Sequence, residues 1–483
     1  MIINFLCYLL YIIILMCSKP AYLTQPYKDF DIHLTISAQT RSLEVSWENA
    51  RLWPGDIILI TTTEPFEFRI LSDSIYDKEN LWHIILDRTA KLSNKITRAI
   101  GLGQFFDDTK LIRRTYEYNN NTDYGNSIRA VIIPKEKSQW LKTLIDYDIK
   151  LSNIQNKNIN CYGYWVSYID KNGNIIVKNC LKAYPIWMNE MKDDIGELTI
   201  KDLLIPGTHN SGSYKPGFNP NKDYLDIFQR FTLTQDEDVW EQLMHGIRYL
   251  DIRVGYYDWK PEKFFTNHDV SRQRPLVEIL EHVREFVKLT NEIVIVDFQE
   301  FPVGFHNNQT IHDSLISLIK RYFGGYIILP GKHEWNQNLN EIWSNNQNIF
   351  VAYDYLPAVQ KHSDILFHAC RHRWARAPNY EKLRNYIRNQ YNYDTDFYGL
   401  RRYFQLPTVD MAELTADVMG ILTGKFTGLR KMADSVNSKV TLLYQNELGD
   451  KANVVAVDFY RGTRIVDLAI KFNKKRKQKS SDD

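Results

Sequence analysis

The sequence predicts two unlike parts: an N-terminal all-β sandwich, then an α/β region on a parallel sheet, open or closed into a barrel. Residues 30–185 read as short runs with apolar and polar side chains alternating at period two, separated by Pro, Gly and Asn. After Trp187 the rhythm changes to strands and amphipathic helices in alternation. The length, 483 residues at 44% apolar content, suits one barrel plus an appendage.

The chain begins "MIINFLCYLLYIIILMCSKPA", an apolar run with no charged side chain before Lys19. Its core has the length of a signal-peptide h-region and is short for a membrane span. We read residues 1–21 as a cleaved signal, cut near Ser18 to Ala21. A retained anchor is the alternative, because a positive n-region is missing. The mature protein is then expected outside the cell or in the secretory lumen. The sequons at Asn120 and Asn308 agree with that route, although such triplets also arise by chance in a chain rich in Asn.

Residues 28–186 form the expected sandwich. "DIHLTIS", "SLEVSWE", "DIILITT", "FEFRIL", "LWHIIL" and "IRAVII" are its strands, and 89–100 and 136–150 are the two stretches with some helical character. No catalytic constellation falls here. Two of the five cysteines leave with the signal, and Cys161, Cys180 and Cys370 remain. An oxidising compartment favours a Cys161–Cys180 bridge. The register argues the other way: a hairpin turning at Asn172-Gly173 sets Cys180 opposite Trp165. An offset of four residues is roughly 13 Å along a strand, against a Cα reach of about 7 Å. A bulge or a curled strand end restores the bond, and we expect it on balance.

Residues 190–475 form the α/β part. "IRYLDIRV", "EIVIVDF", "NIFVAYDY", "KVTLLY" and "NVVAVDF" read as strands. "PLVEILEHVREFVKL" is an amphipathic helix with Leu276, Ile279, Leu280, Val283 and Val287 on one stripe, and "TIHDSLISLIKRYFGG" a second that stops at glycine. Residues 476–483 are a basic and polar tail, best read as a solvated end. The net charge of +2 and the lack of a basic domain exclude a nucleic-acid partner. Nothing in the residues fixes an oligomeric state.

Four places carry chemistry. His209-Asn210 sits on a turn behind Pro206-Gly207. Asp251 and Arg253, two apart on a strand, point to one face. Their bland reading is a structural ion pair. His268-Asp269 follows a second apolar stretch, where a surface loop is the plain interpretation. Asp458 ends a buried-looking strand, where it could simply cap the next helix. Each signal is weak alone, but barrel active sites gather at the C-terminal ends of strands. Two imidazoles and a guanidinium there suit phosphodiester cleavage: one ring takes a proton, the other returns one, and the cation steadies the phosphorane.

"IPGTHNSGSY", "GIRYLDIRV", "FFTNHDV", "NEIVIVDFQEF" and "NVVAVDF", in that order, resemble the X-domain family of phosphatidylinositol-specific phospholipases C. The likeness implies a distorted TIM-type (β/α) barrel acting on a phosphoinositide-type lipid, with transient membrane-surface contact. It implies His209 as general base, His268 as general acid, Asp458 as the carboxylate orienting the base, Arg253 in place of a calcium ion, and Asp251 as its companion. Asn210 is the departure. Metal-independent members carry Asp there, whereas calcium-dependent ones use Asn as a ligand. Calcium wants several carboxylate oxygens, but Arg253 is a cation and Gln299 is neutral, so no metal and no cofactor is expected. Asn210, substrate- or phosphate-adjacent, also leaves the acid histidine without its usual partner; Asp269 is the candidate substitute.

The expected function is a calcium-independent phosphodiesterase releasing a cyclic inositol phosphate. The alternative is a catalytically weakened barrel that binds phosphoinositide or glycan headgroups, which Asn210 favours. Trp374, Arg371 and Tyr353 suit such a headgroup, but packing explains them equally and none is taken as a site.

Overall fold

A computed structural model of the chain describes residues 30–65, 128–147, 149, 160–171, 173–331, 333–393 and 406–480. The signal segment 1–21, the runs 66–71 and 81–86, the stretch 89–100 and Asn120 lie outside the described residues. The chain divides into two compact units, one holding 45–140 and 165–179 with the residues up to 33, the other 34–44, 141–164 and 180–483.

Among the described residues, seven strands precede Trp187, in two sheets. One has the order β1 (Asp31–Ile36), β2 (Ser42–Glu48), β5 (Gln139–Asp146). The other has the order β4 (Ile128–Ile132), β3 (Ile57–Thr61), β6 (Cys161–Ile169), β7 (Ile175–Lys182). The stretch 136–150, given helical character above, is strand over Gln139–Asp146. Its apolar residues Trp140, Leu141, Leu144 and Ile145 do recur at helical spacing, but pairing with β2 overrides that local pattern.

Cys161 and Cys180 are bonded, with Cα atoms 5.6 Å apart. The register argument against them fails in two ways. The hairpin closes one residue wider than a two-residue turn, since Asp170 N–H donates to Asn174 O and Gly173 N–H to Asp170 O. Near the cysteines β6 departs from ideal strand geometry at Gly163, whose φ of +72° is open to glycine without strain.

The second unit carries a sheet in which parallel strands run in the order β14 (Phe367–His368), β13 (Ile349–Tyr353), β12 (Val294–Val303), β9 (Tyr249–Tyr256), β8 (Ile205–Thr208), β17 (Val454–Val457), β16 (Thr408–Met411), β15 (Arg371–Trp374). An antiparallel hairpin, β10 (Phe264–His268) and β11 (Ser271–Pro275), joins β9 at the side. The two ends of the order, β14 and β15, are neighbours in the chain, separated only by Ala369 and Cys370. The sheet therefore curls back on itself and fits a distorted barrel.

Strand alternation sorts its side chains. Leu250, Ile252 and Val254 of β9 pack with the helix stripe Leu276, Ile279, Leu280, Val283 and Val287 in the layer outside the sheet. Tyr249 packs inside with Ile205, Ile295, Phe350, Phe367 and Met411, alongside Trp187 and Trp335. Asp251 and Arg253 share the inner face with Tyr249. "KVTLLY" is not a strand: it ends the helix Leu429–Leu443, whose buried Met432, Ala433, Val436, Val440 and Leu443 repeat at helical spacing. Its β-branched residues suggest a strand locally, but the longer 3.6-residue period wins.

Candidate active site

His209 follows β8 on a turn held from several sides. Its N–H donates to Val457 O at 3.1 Å, and the next two N–H groups go to Asp251, Asn210 to Oδ2 at 2.9 Å and Ser211 to the carbonyl at 2.8 Å. Asn210 pays for this tightness with a left-handed φ of 43°. At Gly212 an added Cβ would stand 2.4 Å from the side chain of Thr266, so no larger residue fits without a shift. The sequence's Pro-Gly and small residues thus serve to present one imidazole rigidly.

That imidazole is buried, and its Nδ1–H donates to Asp458 Oδ1 at 2.8 Å. Asp458 comes from the C-terminal end of β17, the strand paired with β8 through Val457 and Thr208. Burial disfavours the charged ring, but the Asp458 carboxylate and its hydrogen bond outweigh that and raise the His209 pKa above its usual value. Its Nε2 has no hydrogen-bond partner among the described residues. This bare nitrogen is the atom a general base needs.

His268 ends β10. The two rings have centroids 6.1 Å apart and stand nearly perpendicular, at 86°. His268 Nδ1–H donates to the carbonyl of Thr232 at 3.0 Å, which leaves Nε2 for a ligand. The hydrogen bond goes to that carbonyl rather than to Asp269, which sits in the hairpin turn with φ 48°. Burial first, then the nearby His209 and Arg253 charges, push His268 down to about 4.

Arg253, on β9, is near enough for its charge to act on both rings. Its Nη2 lies 3.1 Å from Asp251 Oδ2, its Nη1 3.4 Å from Glu300, and its Cζ 5.2 Å from the Trp374 ring centroid. Asp251 and Arg253 are both buried, so neither is stable there alone; removing either costs about 3–5 kcal/mol. Arg253 holds the Asp251 carboxyl well below the usual carboxylate range, against the effect of burial. This guanidinium thus engages both Asp251 and Glu300. Gln299 is turned away to Asp297 Oδ2 at 2.7 Å and Cys370 O at 2.9 Å. Asn210 lies fully buried with both side-chain polar atoms lacking a partner among the described residues.

Two further side chains belong to this place. Trp374, at the end of β15, has its ring centroid 6.1 Å from that of His209. Glu413, two residues past β16, is buried and raised to about 7, chiefly by burial, with His209 and Arg253 pulling it down. The four-residue strands that deliver them read RHRW and TVDM, too short and too polar to show a pattern. Tyr353 lies elsewhere, its OH 2.7 Å from His312 Nδ1, and Arg371 is exposed at the start of β15. Asn308 is exposed and caps the helix Gln309–Phe323 by accepting from Thr310 N at 2.9 Å.

No family model matches the chain. It is similar to the human PI-PLC X domain-containing protein 1, 24% identical over 206 residues that cover 39% of this chain and 62% of that protein. A PI-PLC X domain-containing protein of Dictyostelium discoideum is 28% identical over 156 residues, 30% of this chain and 24% of its own length. The variant-surface-glycoprotein phospholipase C of Trypanosoma brucei brucei is 27% identical over 193 residues, 34% of this chain and 52% of that enzyme. The matches thus span less than two thirds of these relatives' length. Among solved structures, the phosphatidylinositol-specific phospholipase C from Listeria monocytogenes is 18% identical with a TM-score of 0.42, over 60% of this chain and 98% of that one. In sequence the chain is thus similar to several proteins of the PI-PLC X-domain family.

Proposed function

We propose that the protein is a phosphoric diester hydrolase of the phospholipase C type that cleaves phosphatidylinositol-like lipids without a metal ion. One observation carries this reading: a buried imidazole with a bare Nε2 faces a second imidazole beside a guanidinium fixed on Asp251. His209 Nε2 takes the proton of the inositol 2-hydroxyl, whose oxygen attacks phosphorus. The bond from phosphorus to the diacylglycerol oxygen breaks, and His268 Nε2 gives that oxygen its proton. A cyclic inositol phosphate leaves first. Arg253 meets the negative charge on the phosphorane oxygens, preorganised by Asp251, with the unpartnered Asn210 amide beside it. The occupation of Asp251 and Glu300 by Arg253 supports metal independence. The apolar leader and the Asn308 sequon support a secreted or lumenal protein.

The second reading, a headgroup-binding barrel without turnover, draws on Asn210 and on the neutral backing of His268. Purified full-length protein mixed with phosphatidylinositol vesicles and EDTA separates them. Headgroup release is the expected result. Vesicle binding with no release would leave only the binding role, and release that EDTA abolishes would remove the metal-free mechanism.

A further inference from the structure

Residues 34–44 and 141–164 precede Trp187 in sequence but belong to the same compact unit as the barrel. What they touch there is specific. Between β1 and β2 the chain turns tightly, with Arg41 N–H donating to Ser37 O at 2.9 Å and Arg41 in a left-handed conformation, φ 50°. The turn projects the Arg41 guanidinium onto two consecutive buried carboxyls, 3.2 Å from Asp236 and 3.5 Å from Glu237. The residue just before them is Gln235, also buried. Its side-chain amide donates to the carbonyl of His209 at 3.0 Å and to that of Val457 at 2.9 Å. One amide therefore staples the ends of the two strands that deliver His209 and Asp458.

The same turn reaches the other partner of that pair along one face of the helix Leu429–Leu443. Arg430 pairs with Asp236 and donates to Ala38 O at 3.0 Å. Asp434, one turn on, accepts from Ser37 Oγ at 2.7 Å and pairs with Lys142. Asn437, a further turn on, donates to the carbonyls of Asp458 and Phe459, both at 3.1 Å. Positions three and four apart share a helix face, so these three residues form a single row from the turn to the catalytic carboxylate.

We infer that the Ser37–Ser42 turn, through Arg41 on Asp236 and Glu237, is a positioning element for the His209–Asp458 pair. The inference rests on the proposed role of that pair and adds a residue outside the barrel sequence to it. Arg41 touches neither the reacting atoms nor His209; it acts by holding the 234–237 segment from which Gln235 spans both strands. Nothing in the local sequence around His209 or Asp458 shows this, because the contact lies between residues 195 or more positions apart.

The test uses the full-length chain. Arg41→Gln should lower kcat on phosphatidylinositol vesicles between about tenfold and a hundredfold with KM unchanged, since small misplacements of catalytic groups have costs of that order. Arg41→Lys, which keeps the cation, should recover most of the loss. The hydrogen-bonded Nδ1 proton of His209, read by proton NMR far downfield, should move upfield or broaden in Arg41→Gln; loss of global stability alone would leave it in place in the folded fraction. If Arg41→Gln fails to fold, Gln235→Glu is the second variant: it is isosteric, leaves the Arg41 contacts intact and removes the staple, and it should show the same two effects. Unchanged kcat and an unmoved proton in a folded variant overturn the inference. If the unmodified protein turns over no phosphatidylinositol, the enzymatic reading fails instead, and the proton resonance still decides whether Arg41 positions the pair.

Discussion

The two histidines of the site invite comparison because they share a chemistry and little else. His209 is backed by a carboxylate, in a turn pinned by hydrogen bonds from two neighbouring strands. His268 stands at the tip of a side hairpin, backed by a neutral carbonyl. An anion beside a ring favours its proton; a carbonyl gives less help, and the neighbouring Arg253 and His209 oppose it. His209 therefore holds a proton more strongly than His268 does, although the proposed mechanism needs the base neutral and the acid charged when the reaction starts. On the proposed mechanism, the difference means that the pair's roles are set by what stands behind each ring, and that a bound phosphodiester has to favour protonation of His268.

The strongest way to break the comparison is to delete one ring. His209→Ala and His268→Ala should each lower kcat by about 10²–10⁴, as general acid–base groups do, and a vesicle turnover assay checks both. Equal activity in either variant removes that ring from the mechanism. Arg253→Ala comes next. It should lower kcat about 10²–10³-fold and also destabilise the fold, because Asp251 is left buried without its cation; thermal unfolding alongside kinetics separates the two losses. Asp458→Asn makes the backing of His209 as neutral as that of His268, and a loss of about tenfold to a hundredfold is expected.

The pH profile sharpens the contrast. For kcat/KM the acid limb should fall near the His268 value of about 4, and the alkaline limb above the ordinary histidine value, where His209 loses its proton. These limbs belong to the coupled pair rather than to single rings. Binding an anion favours both protonated rings, so the kcat profile should lie at higher pH than that of kcat/KM. Asp458→Asn lowers the alkaline limb, and a limb that stays in place shows that the carboxylate is not what holds the proton. EDTA, the smallest expected effect, should change nothing.

Much of this was legible in the sequence, for a physical reason. His209, His268 and Asp458 lie at or just past strand ends, Arg253 lies within β9, and the strands are apolar enough to read. Glu413 escaped, and Trp374 was named as a headgroup candidate without being taken as a site, because the four-residue strands RHRW and TVDM are too short and too polar to show a pattern. The partner of His268 is a backbone carbonyl, which any residue supplies and no motif marks. The strand at 139–146 and the helix through 439–443 were misread because pairing and a longer period overrode local preference. The cysteine pair was expected on balance and is bonded; the register argument against it assumed an ideal ladder, without the positive-φ Gly163.

The β1–β2 turn has a practical consequence for anyone trimming this protein. A chain started at residue 190, where the barrel sequence begins, would retain Asp236, Glu237 and Asp434 but lose Arg41 and Lys142 that face them. Such a truncation leaves acidic groups behind the candidate site without these partners and removes the buried Trp187 and Met188 as well, so the excised barrel should be a sluggish module.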